Sequence, residues 1–149
     1  MPHTIATFSI VAYDPGREEW GVAVQSKFLA CAAVVSWARA GAGAVATQSF
    51  ANVAYGLDGL EMMANDMSAE ETIAALTSAD EQRAQRQVGM VDRRGRAAAY
   101  TGAECYDWAG HAIGDGFACQ GNILVPGTVA AMATAFEEVA DADVQRVRE

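Results

Sequence analysis

An α+β fold, with antiparallel sheets covered by helices, is what this sequence predicts, and three observations carry the prediction. Residues 7–27 form two near-continuous apolar runs, 8–13 and 20–24, around the turn-prone stretch Asp14-Pro15-Gly16-Arg17-Glu18-Glu19. The elements read in the order strands, two helices, strands, one helix, which is not the alternation of a parallel α/β sheet. At 149 residues and 52% apolar content, the chain suits one domain with a single sizeable core.

The first hairpin organises the rest. Pro15 presets φ and Gly16 tolerates positive φ, so the turn is written into the sequence. Pairing Tyr13 with Trp20 carries Val11 to Val22, Ser9 to Val24 and Thr7 to Ser26, with Gln25 and Lys27 flanking the open end. Both faces are mostly apolar, which predicts a middle layer covered on both sides. A hydroxyl near the chain start, the only lysine and an amide therefore meet at one end of a buried hairpin.

The later elements follow in order. Residues 34–39 read as a short strand with Trp37 and Arg39 on one side, and residues 44–50 as another, after a Gly41-Ala42-Gly43 break that lacks the third glycine of a phosphate-binding loop. Helical spacing of Leu57, Leu60, Met63 and Ala64 predicts a helix over about 56–66. Ser68 and Glu71 form a capping box that opens a second over 69–79. Their acidic residues read as solvated faces. Residues 87–92 and 96–101 around Arg93-Arg94-Gly95 form a second hairpin. Residues 105–115 read as irregular, 117–124 as a strand interrupted at Gly121, 128–139 as a helix, and 141–149 as a charged, frayed tail.

Composition excludes several function classes. Ten basic against nineteen acidic residues leave a net charge of −9, which repels a nucleic-acid backbone. The start, Met1-Pro2-His3-Thr4-Ile5-Ala6, lacks the basic lead of a signal peptide, and no apolar run is long enough to span a bilayer, so no membrane partner and a cytoplasmic location are expected. Three cysteines without metal-type spacing read as free thiols, and with only two histidines they do not build a zinc site. No G-x-S-x-G elbow exposes a serine. A thiol nucleophile built from Cys105 or Cys119 with His111 competes with the simpler reading of cysteine as a small buried hydrophobe.

What remains is the hydroxyl at the start of the first strand. A threonine whose own α-amino group is free can use that amine as base, since its ordinary pKa is about 7.7 to 8.0 and a nearby cation lowers it. Lys27 across the hairpin end is the candidate cation. On residue types alone, an ordinary strand threonine and a surface lysine is the preferred reading.

The blocks TFSIVAYDPGREEWGVAVQSKF, WARAGAGAVATQSFAN, AYG-x-x-GL, RQVGMVD-x-x-GR, AYTG-x-x-C-x-x-WAGH and QGNIL occur in order from Thr7 to Leu124. Together they resemble the domain of unknown function 1028 family, which is related to the N-terminal nucleophile (Ntn) hydrolases. The resemblance implies an Ntn-like αββα sandwich over residues 1–149, with residues 1–6 as a leader and the late strands truncated at the C-terminus, so that a sheet edge is left for a partner copy and a homo-oligomer is expected. It further implies an amidohydrolase that cleaves a C–N amide bond of a small-molecule substrate without a cofactor or metal. Thr7 would be the nucleophile and Lys27 the group that tunes its amine. Gln25, Ser26 and Asn122 would hold the substrate or the oxyanion, and Trp37, Arg39, Gln48 and His111 would line the pocket. The alternative is a non-catalytic member that keeps the fold for small-ligand binding or assembly.

Overall fold

The computed structural model describes the backbone of residues 5–148 and the side chains of residues 5–140. Strands β1 (Thr7–Asp14) and β2 (Glu19–Ser26) form the first hairpin in the expected register, from Tyr13 opposite Trp20 to Thr7 opposite Ser26. The turn is held by Asp14, whose Oδ1 accepts the backbone N–H of Gly16 at 2.8 Å. Positive φ falls on Glu18 (53°) rather than on Gly16.

The chain then makes a one-turn helix, α1 (Ala32–Val35), where the sequence suggested that strand already begins, before β3 (Ser36–Arg39) and β4 (Gly43–Ser49). Helices α2 (Ala54–Ala64) and α3 (Ala69–Ala79) follow, the latter opened by the expected reciprocal Ser68–Glu71 capping box. Strands β5 (Arg86–Asp92) and β6 (Ala97–Thr101) form the second hairpin. Residues 105–115 are not wholly irregular: β7 (Gly110–Gly114) pairs with β8 (Phe117–Asn122) and turns through Gly116 at φ 73°. The last helix, α4 (Thr128–Arg148), continues through the segment expected to fray.

Two antiparallel four-stranded sheets result, ordered β2-β1-β8-β7 and β3-β4-β5-β6. Their facing sides meet through small and branched residues, among them Val11, Ala44, Ala46, Val91 and Ala118. Helices α2 and α3 cover the second sheet, with Tyr55, Leu60, Met63 and Ile73 packed on Val45, Val88 and Met90. Helix α4 covers the first, where Phe136 and Phe117 stack with ring centroids 4.8 Å apart. α4 lies over β7 and β8. The outward residues of β2, Glu19, Gly21, Ala23 and Gln25, are consequently exposed, so the hairpin is covered fully on one face only. Among the described residues, no helix is long and apolar enough to cross a membrane, and Cys31, Cys105 and Cys119 are unbridged.

Polar side chains join the two sheets. Gln48, Gln87 and Gln120 are at most 1% exposed, a degree of burial glutamine rarely reaches without partners. Gln120 Nε2 donates to Ser9 Oγ (2.7 Å), the Ser9 hydroxyl donates to Gln48 Oε1 (2.6 Å), and Gln48 Nε2 donates to Gln87 Oε1 (2.8 Å). Gln87 Nε2 returns to the first sheet through the carbonyl of Gly121 at 2.8 Å. The remaining atom, Gln120 Oε1, is fully enclosed without a partner and lies where a side chain on Gly89 would begin: a Cβ there would sit 2.0 Å from it. Gly89→Ala is therefore expected to cost roughly 1–3 kcal/mol through overpacking. Urea unfolding checks this, and the cost should shrink when Gln120 is shortened to Ser in the same chain.

Candidate active site

The strand ends Thr7, Ser26, Ser49, Arg86 and Asn122 fall at the same end of the sandwich because β1 starts where β2, β4 and β8 finish. They border a cleft of about 480 Å³. Thr7 is 8% exposed, and its Oγ1 lies 2.9 Å from Ser26 Oγ, which in turn accepts the Phe28 N–H at 3.0 Å. Asn122, adjacent to Thr7 across the β1–β8 pair, donates one amide N–H to Gln87 Oε1 at 3.0 Å. The inter-sheet amide network thus ends in the cleft floor.

The walls differ in character. Ile5, Phe28, Phe50, Val53 and Tyr106 supply an apolar rim, with Phe50 and Tyr106 in edge-to-face contact at 5.9 Å. Ser49 (φ 67°) and Ile123 (φ 57°) both line the cleft in left-handed backbone, uncommon for serine and an outlier for a β-branched residue. Each such conformation costs on the order of 1–3 kcal/mol and persists only where the surroundings over-determine it. Ile123 is held by its N–H to the Tyr106 carbonyl, 3.1 Å.

Arg86 is the one charged residue among the described residues lining the cleft, and each of its nitrogens makes a hydrogen bond: Nε on Asp80 Oδ2 (2.8 Å), Nη1 on the Phe50 carbonyl (2.7 Å) and Nη2 on Gln82 Oε1 (2.7 Å). It acts as a brace for the Phe50 wall. Arg86 beside Asp80 holds that carboxyl well below the usual carboxylate range, against the opposing effect of burial and with help from the Gln82 N–H, the Tyr55 hydroxyl and Asn52. Burial, then Asp80 itself, keeps the Tyr55 hydroxyl protonated.

Of the residues singled out in the sequence, Thr7, Ser26, Gln48 and Asn122 come together here. The others lie elsewhere. Lys27 is exposed just beyond β2 and does not line the cleft, and Gln25 points to the bare outer face of β2. Trp37 packs under α2 against Gly56, with its indole N–H on the Val34 carbonyl. Arg39 binds Glu61 and the Leu60 carbonyl on the same helix. His111, on the edge strand β7, meets Thr101 Oγ1 at 2.9 Å, and Thr101 receives Gln87 Nε2, so the histidine touches the network at its far side. Partial burial lowers its pKa. Cys105 and Cys119 are poorly placed as nucleophiles: burial, with Glu137 nearby, pushes Cys119 up to about 11, and Cys105 donates to the Arg86 carbonyl. A second hollow between α2, α3 and residues 80–82 bears Asp58, Asp80 and Glu81, yet no metal-binding group of His, Cys, Asp and Glu occurs among the described residues.

A family of unknown function, DUF1028, matches residues 7–147. The chain belongs to DUF1028. The match begins at Thr7, the first residue of β1. A solved DUF1028 protein from Silicibacter pomeroyi superposes with a TM-score of 0.85 at 31% identity, over 89% of this chain and 62% of that one. The chain thus spans less than two thirds of the length of its solved DUF1028 relative. No curated protein matches.

Gln87, Arg86 and Asp80 are site-forming residues that sequence reasoning missed. A signal existed for Gln87 alone, as a polar residue at the start of an otherwise apolar strand. Because the Asp80 pKa is depressed in the folded chain, its stabilisation is complete above the unfolded value of about 3.9 and is lost as pH falls below that toward the folded value. Asp80→Asn should lower stability near neutrality by roughly 2–3 kcal/mol, as expected for a hydrogen bond to a charged group, and should flatten the acid-side fall of Tm below about pH 4. Thermal unfolding between about pH 2 and about pH 7 measures both effects.

Proposed function

We propose that the cleft is the site of an Ntn-type amidohydrolase in which a chain beginning at Thr7 attacks the amide carbonyl of a small molecule. The observation that carries this reading is the position of Thr7: a first-strand hydroxyl that is held by Ser26, faces a cleft and stands where the family match begins. In the reaction, Thr7 Oγ1 forms a bond to the carbonyl carbon while its proton passes to the freed α-amine. The second N–H of Asn122, not engaged by Gln87, is a donor for the developing oxyanion. Collapse breaks the C–N bond, and the leaving amine takes the proton from the α-ammonium. Water, deprotonated by the same α-amine, then attacks the Thr7 ester; the bond between the acyl carbon and Oγ1 breaks, Oγ1 takes the proton back from the α-ammonium, and a carboxylic acid leaves and ionises. Ser26 orients the nucleophile. The two sheets with helices outside them are compatible with the Ntn arrangement.

While Ala6 remains attached, Thr7 has no free amine. Ile5 and Ala6 continue directly into β1, with Ile5 on the cleft, and this favours the second reading, a ligand-binding site without turnover. One comparison separates the two. Deleting residues 2–6 leaves Thr7 after the initiator methionine, which aminopeptidases remove before threonine, and intact mass verifies the product. A small β-lactone should then acylate Thr7 in that chain and in its Thr7→Ser variant, but neither Thr7→Ala nor the chain retaining residues 1–6. Equal labelling of all four proteins would remove Thr7 as the nucleophile.

A further inference from the structure

We infer that the ligand of this cleft is an uncharged carboxamide with an apolar chain, its amide group recognised by Asn122 and its chain by the Phe50–Tyr106 rim. The assignment deepens the hydrolase reading and rests on it only for the placement of the scissile bond beside Thr7.

Charge decides the head group. A carboxylate ligand needs a cation, and Arg86, the one charged side chain among the described lining residues, already has its charge met by Asp80 at 2.8 Å and spends one N–H of each terminal nitrogen on the Phe50 carbonyl and Gln82 Oε1. Prising it away would take from Asp80, whose side chain is 12% exposed, the guanidinium that offsets its charge. A cationic ligand is equally unserved, since no Asp or Glu is among the described residues that line the cleft. An uncharged polar group is what the floor can accept.

Asn122 narrows that choice. It is 3% exposed, and one N–H is spent on Gln87. Its Oδ1 accepts no hydrogen bond among the described residues, and the fully enclosed unpartnered side-chain atoms among them are Thr72 Oγ1 and Gln120 Oε1. Asn122 Oδ1 is not one of these enclosed atoms, and the residue lines the cleft. One acceptor and one remaining donor on the same planar group complement the N–H and C=O of another amide. An alcohol or a ketone satisfies fewer of these sites, and leaving a nearly buried amide unpaired costs about 1–3 kcal/mol.

The rim specifies the remainder of the molecule. Ile5, Phe28, Phe50, Val53 and Tyr106 are between 42% and 61% exposed, an apolar collar around a concavity whose volume falls in the usual range for small-molecule sites. Each methylene transferred from water into such a collar is worth about 0.8 kcal/mol, or close to fourfold in affinity.

Calorimetric titration of the full chain with butanamide, hexanamide and octanamide tests the inference without requiring turnover. Affinity should rise about fourfold per methylene, and octanoate at pH 8 should bind at least tenfold more weakly than octanamide. Asn122→Leu should erase the preference for octanamide over octanol. Because that buried change risks misfolding, the rim variant Phe50→Ser provides the second arm and should flatten the chain-length dependence. Octanoate binding as tightly as octanamide, affinity independent of chain length, or no octanamide binding at millimolar concentration would each overturn the inference. So would a Phe50→Ser protein that dissociates from dimer to monomer in sedimentation with octanamide affinity unchanged, since the rim would then be covered by a second copy. Absence of β-lactone labelling at Thr7 alongside an intact amide series would sink the hydrolase reading alone.

Discussion

Three glutamines that never reach solvent hold the two sheets in alignment, and the position of every functional side chain follows from that clamp. Small residues such as Ala44, Ala46 and Ala118 bring the sheets close, and the long carboxamides of Gln48, Gln87 and Gln120 then reach across the gap. Buried amides are costly when unpaired and directional when paired. A slip of one sheet against the other would orphan several donors at once. The enclosed acceptor that the glutamines leave unfilled, Gln120 Oε1, is tolerated over Gly89, where no side chain competes for the space.

The cleft is the place where this clamp runs out. Asn122 is the last member of the network on the Thr7 side, and Thr101 with His111 ends it on the opposite edge. Around Asn122 the strands stop in unfavourable backbone at Ser49 and Ile123, held there by the surrounding hydrogen bonds. Arg86 and Asp80 then brace the wall that carries Phe50. A rigid polar floor under a braced apolar rim is a pre-organised arrangement, in which a ligand need not meet the entropy of shaping its own site.

Much of this was legible in the chain. The first hairpin could be read residue by residue because its turn chemistry and its aromatic pair, Tyr13 with Trp20, fix one register, and the ring stacking at 5.0 Å is the physical form of that constraint. Ser68 and Glu71 announced α3 for an equally local reason. What depended on distant packing was not legible. Strand β7 consists of glycine, alanine, histidine and one isoleucine, a weak strand former made regular by pairing with β8. Gln25 and Lys27 alternate with Ser26 along the strand direction, so once Ser26 lines the cleft they lie on the other face, and which face of β2 meets the second sheet is fixed by packing between distant segments. The partners of Gln87 and Gln120 could not be read from the sequence because they lie far along the chain, Gly121 in the opposite sheet for Gln87 and Ser9 on the neighbouring strand for Gln120.

The use of amides in the clamp has one more consequence. A carboxamide neither gains nor loses a proton over the range in which proteins stay folded, so the alignment of the sheets carries no titration of its own. The brace at Asp80 does titrate. Because Arg86 holds the Asp80 carboxyl well below the usual carboxylate range, only strongly acidic solution reaches the rim, and the amide floor takes up no proton even there.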